Sequence, residues 1–178
     1  FFPEWLPGNH GPVGPIAQLA GIEITANGQR VQWVRDTLHP FAYHVVVPAG
    51  ATTLDITLQH MSPTTGNQGR ITMTPEMLNI QWEKMLLYPA GHWSRNITLQ
   101  PSVKLPTGWA FGTALEPETA SGAVTTFRPV NLEVLVDSPM LSASASSARR
   151  SRPVPRACVP QAQTQGAPSS WPPAGRAP

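Results

Sequence analysis

Apolar and polar residues alternate along much of the first 140 positions, at the period of two that marks strands with one covered face. Gly21-Ile22-Glu23-Ile24-Thr25 starts the pattern and Gln29-Arg30-Val31-Gln32-Trp33-Val34 resumes it. Between them stands Asn27-Gly28, the dipeptide preferred by two-residue type I′ turns, so the spacing predicts a hairpin. Two further strands are expected over Phe41 to Val47, closed by Pro48-Ala49-Gly50, and over Thr53 to His60, where Leu54, Ile56 and Leu58 share a face. Before the hairpin, residues 1–20 are dense in Gly and Pro and predict an irregular entry in which no helix starts.

The second half continues in the same manner. Arg70 to Met73 is short and extended after a loop, and Thr74 to Pro89 reads as at most a short turn of helix followed by strand. Strands are expected over Ile97 to Leu105, Ala123 to Phe127 and Leu132 to Val136, with Pro106-Thr107-Gly108-Trp109 as a turn. Roughly eight short strands with turns between them predict an all-β fold, a β-sandwich or a saddle-like open sheet.

At residue 141 the composition changes, dividing the chain into a β-domain over 1–140 and a tail over 141–178. Of those last 38 residues 22 are Ser, Pro or Ala and none is acidic, so the tail is expected to be disordered, lacking apolar surface to offset its ordering entropy. A natural linker accounts for this. So does a slipped reading frame near Met140, because out-of-frame GC-rich coding DNA yields this mixture of Ala, Arg, Pro, Ser and Gly.

Charge follows the same division. All ten acidic residues and seven basic ones precede position 141, a net −3, whereas the tail carries five arginines. The overall +2 therefore does not argue for a nucleic-acid-binding body. Cys158 is the one cysteine, which excludes an intrachain disulfide and leaves the fold to its apolar core. No stretch is long and apolar enough to predict a membrane span, and the opening Phe1-Phe2-Pro3 without a methionine or signal-like segment reads as a processed chain or a fragment.

Candidate chemistry is sparse. A zinc peptidase site of the His-Glu-x-x-His kind needs two histidines one helical turn apart, and His10, His39, His44, His60 and His92 offer no such spacing. The expectation is no metal ligand and no catalytic residue in this chain. No serine stands in a Gly-x-Ser-x-Gly elbow, and Cys158 falls in the tail. Trp5, Trp33, Trp82, Trp93 and Trp109 leave two readings open: edges of a core or domain interface, or a stacking platform for a carbohydrate or peptide.

The stretches Pro3-Glu4-Trp5-Leu6-Pro7-Gly8-Asn9-His10-Gly11-Pro12, Trp33-Val34-Arg35-Asp36, Val47-Pro48-Ala49-Gly50, Leu86-Leu87-Tyr88-Pro89-Ala90-Gly91, Leu105-Pro106-Thr107-Gly108-Trp109 and Leu135-Val136-Asp137-Ser138-Pro139 come in the order of recurrent landmarks. In these the chain resembles the N-terminal domain of the M61 metallopeptidases, the glycyl aminopeptidases, over about residues 1–140. The resemblance implies a β-rich, non-catalytic domain whose partner is the zinc catalytic domain of the same parent polypeptide. Zinc itself is expected in that domain, outside this chain. It also implies that opening strands usual in the family are missing, which predicts unpaired sheet edges. Members are often exported in bacteria. By analogy with the M1 aminopeptidases, whose N-terminal domain reaches toward the substrate's amino terminus, the resemblance singles out Gln81 and Glu83 as substrate-binding residues. The alternative is a free-standing carbohydrate- or peptide-binding β-domain.

Overall fold

In a computed structural model of the chain, residues 1–6 and 8–144 are described. The expected hairpin forms: Asn27 (φ 50°) and Gly28 (φ 75°) both take the left-handed region that a type I′ turn demands. It joins β1 (Leu19–Ala26) to β2 (Gln29–Arg30), and β1 pairs on its other side with β5 (Asp55–His60). A register shift between Ala20 and Glu23 marks a bulge in β1, where Gly21 sits at φ 60°. Ile22, Ile24 and Ala26 point to one side of β1 and pack with Val31, Trp33, Val45 and Leu54 as a small core.

The Gln29 to Val34 segment does not stay in that sheet. The chain leaves β2 after Arg30, and β3 (Trp33–Arg35) pairs instead with β4 (Tyr43–Val45). Asp36 closes the loop between them: its Oδ1 accepts from the backbone N–H groups of Leu38 and His39, each at 2.8 Å, and its Oδ2 lies 2.7 Å from His44 Nε2.

A larger core occupies the second half, where Ile80, Val103, Leu115, Phe127, Leu135 and Met140 are buried together. Strands surround it: β6 (Met77–Ile80), β7 (Thr98–Leu99), β8 (Ser102–Lys104), β9 (Trp109–Gly112), β10 (Pro117–Ser121), β11 (Val124–Phe127), β12 (Val130–Asn131) and β13 (Met140–Ser144). All pairs are antiparallel, in the orders β10-β11-β8, β12-β7 and β6-β13-β9. The architecture is all-β, as expected, and among the described residues no helix is long and apolar enough to cross a membrane.

Several local expectations are corrected. Leu132–Val136, read as a strand, is the helix α1, because Asn131 caps it by accepting from Val134 N at 2.9 Å and Glu133 sits in the first turn. Thr74 starts no helix: its Oγ1 accepts from the N–H groups of Glu76 and Met77 in a turn that feeds β6 directly. Helical geometry comes after the strand, as a 3-10 turn at Trp82–Lys84, and the expected strand over Met85 to Tyr88 does not form. A 3-10 turn also forms at Ile16–Gln18, in the entry read as helix-free. β13 carries the fold across the compositional break at 141, with Ser142 buried and donating to Ala110 O at 3.0 Å. The tail's expected disorder, the frame slip and Cys158 lie otherwise outside the described residues.

Candidate functional site

A cleft of about 580 Å³ opens where the N-terminal segment meets the Trp82–Lys84 turn, the Tyr88 to Ser94 loop and α1. Backbone hydrogen bonds hold its walls. Phe2 N donates to Phe41 O at 2.8 Å, Gly14 N to Glu4 O at 2.9 Å and Tyr88 N to Phe1 O at 2.9 Å, so the opening residues are tied to both halves of the fold. Trp82 Nε1 donates to Ser138 O at 2.8 Å, which fastens the 3-10 turn to the end of α1.

Three carboxylates line the cleft, from Glu4, Glu83 and Glu133, and no lysine or arginine does. Glu133 accepts a 2.6 Å hydrogen bond from Ser94 Oγ. Glu83 forms no ion pair with a described side chain, and partial burial pushes its carboxyl above the ordinary range. Tyr88 is raised for the same reason, with the nearby Glu4 charge adding to it. Two indole side chains are exposed at the rim: Trp5 at 62% and Trp93 at 74%. Arg95 lies over Trp93, its guanidinium carbon 6.0 Å from the ring centroid.

The two residues singled out by resemblance are separated. Glu83 faces the cleft, whereas Gln81 does not line it and instead carries a buried Oε1 without a hydrogen-bond partner. Nearby, both ring nitrogens of His60 are buried and unpartnered, and burial, with the Lys84 charge second, lowers its pKa. Among the tryptophans, Trp33 and Trp82 spend their indole N–H groups on Ile22 O and Ser138 O, which makes them structural. Trp5 and Trp93 keep the platform reading open. Sequence reasoning missed Glu4, His92 and Glu133 as cleft residues; only Glu133 had a local signal, its place two residues after a capping Asn. Among the described residues no three His, Cys, Asp or Glu side chains group as metal ligands.

Comparison with known proteins bears on the whole of this architecture. The sequence profile of the peptidase M61 N-terminal domain matches residues 1–144. The fold is similar to that of an aminopeptidase N family protein from Idiomarina loihiensis, with a TM-score of 0.66 and 14% sequence identity over 80% of this chain and 24% of that one. The chain thus spans about a quarter of that protein's length. No curated protein sequence matches it.

Proposed function

Because the chain belongs to the peptidase M61 N-terminal domain family, we propose that it is the non-catalytic domain of a zinc aminopeptidase, supporting the catalytic domain and walling the substrate cleft. Zinc and the water-activating glutamate belong to the catalytic domain in this reading, and the residues of this chain bind and orient. The observation that carries it is Glu83: a half-buried carboxylate on the wall of a cleft whose lining holds no lysine or arginine, with the neighbouring Lys84 charge only partly offsetting the effect of its burial. Such a group gains most from an incoming ammonium, because a charge-assisted hydrogen bond offsets the cost of its burial. Gln81, one residue before the same 3-10 turn, carries a buried amide oxygen that lacks a partner, and in this reading it supports the turn rather than contacting the substrate directly.

The test is Glu83→Gln in the parent enzyme carrying this domain. We expect KM for peptides with a free amino terminus to rise about tenfold, the scale of one charged contact, with kcat changed less. An unchanged KM would remove Glu83 from the substrate wall. Exposed Trp5 and Trp93 favour a second reading, a carbohydrate-binding β-domain. Glycan binding that Trp93→Ala abolishes would favour that reading instead.

A further inference from the structure

We infer that His60 is an acid-triggered release for the Trp82–Lys84 turn: protonation of its ring sets a second positive charge against Lys84 and loosens the turn. Neither ring nitrogen is open to solvent, and neither has a hydrogen-bond partner among the described residues. A neutral imidazole carries one donor and one acceptor, so both are left unsatisfied where β5 of the first sheet meets the turn beside the larger core. Gln81, immediately before the turn, buries an unpartnered Oε1 as well. A buried polar group without a partner is a feature that folding alone does not favour. The inference goes beyond the wall reading and does not depend on it, although Glu83 rides on the same turn.

The backbone holds the ring in place. His60 ends β5 and pairs with Leu19 of β1, and Met61 N donates to Gln18 O at 2.7 Å. One residue later Ser62 Oγ accepts from Thr72 N and from Thr72 Oγ1, both at 3.0 Å, and Thr72 is buried. With both flanks fastened, the imidazole has little freedom to swing into water when it gains a proton. Burial is the larger cause that lowers its pKa from the ordinary 6.5, and the Lys84 charge is the second. Arg70 adds positive charge around Lys84, and Glu83 is the carboxylate that opposes it. The turn facing this charge closes through Lys84 N to Gln81 O at 3.0 Å and Met85 N to Trp82 O at 2.9 Å, in 3-10 geometry that makes poorer bonds than an α-helix. Between a paired strand and a single turn, the turn yields. Because the neutral ring is favoured in place, its contribution to stability is complete above pH 6.5 and falls as pH drops through that value.

NMR of the full 178-residue chain tests this in two ways. The His60 ring is expected to titrate with a midpoint below 6.5, and Lys84→Met should move that midpoint upward. Hydrogen exchange at the Lys84 and Met85 amides reports on the turn itself. Their protection is expected to fall severalfold from about pH 7.5 to about pH 5.5 in wild type and to stay level in His60→Phe, whose ring fills the space without gaining a proton. Asp36, held down to about 2, stays ionised over this range and does not contribute. A midpoint at or above 6.5 would overturn the inference, and so would an equal loss of protection in His60→Phe. Should His60→Phe not fold, Lys84→Met decides: its loss of protection must be smaller than that of wild type, and an undiminished loss overturns the inference. A changed KM in Glu83→Gln bears on the wall reading alone.

Discussion

Asp36 does more than its place in a loop would indicate. Two backbone N–H groups and His44 converge on its carboxylate, with the His44 bond the largest influence, and together they hold the folded-state pKa down to about 2 from an ordinary 3.8. A depressed carboxyl stabilises the fold fully above its unfolded pKa, and that contribution drains away as pH falls from about 4 toward 2. Thermal melts of wild type and Asp36→Asn should therefore differ most at pH 6, less at pH 2.5, and converge below about pH 2. An equal gap at both pH values would show that the ionised carboxylate contributes nothing. The residue sits in the Trp-Val-Arg-Asp stretch that carries part of the family resemblance, but nothing in that stretch announces the contact eight residues on. Spacing along a chain does not encode a partner across a hairpin.

At the scale of elements, α1 joins the core to the cleft. Leu132 and Leu135 are its buried residues, and Leu132, Glu133 and Val136 line the cleft. Five residues form a marginal helix, so its cap matters. Asn131→Ala should cost about 1 kcal/mol by urea denaturation, with Asn131→Asp close to wild type; no loss in the alanine variant would mean packing alone holds the helix. The β character of the chain was legible because Ile22-Glu23-Ile24 and its like alternate cleanly and Asn27-Gly28 fits one turn type. Leu132 to Val136 misled for a physical reason: in five residues rich in Val and Leu, periods of 2 and 3.6 are indistinguishable, and the deciding signal was the capping residue before them. Glu83 was marked by resemblance, yet the cleft's other walls come from residues near 4, 92 and 133, brought together only by tertiary packing.

For the molecule as a whole, the open flank of the first sheet is the weak point. β5 pairs with β1 alone among the described strands, and Ile56 on it is 42% exposed. Six residues of unpaired edge with an apolar side chain offer a template to another copy. At high concentration the chain is expected to self-associate, and Ile56→Lys should shift it toward monomer in light scattering, because charge on an edge opposes strand pairing. Identical scattering from both proteins would place association elsewhere.

β13 has a practical corollary for anyone trimming this polypeptide. It is the middle member of a three-stranded sheet, and its last residues are the same serines and alanines that fill the low-complexity sequence after it. A cut made where composition changes would excise most of that strand, leave β6 and β9 without their shared neighbour, and strip Met140 of its strand context. An expressed domain keeps β13 whole only if its terminus lies at or beyond Ser144.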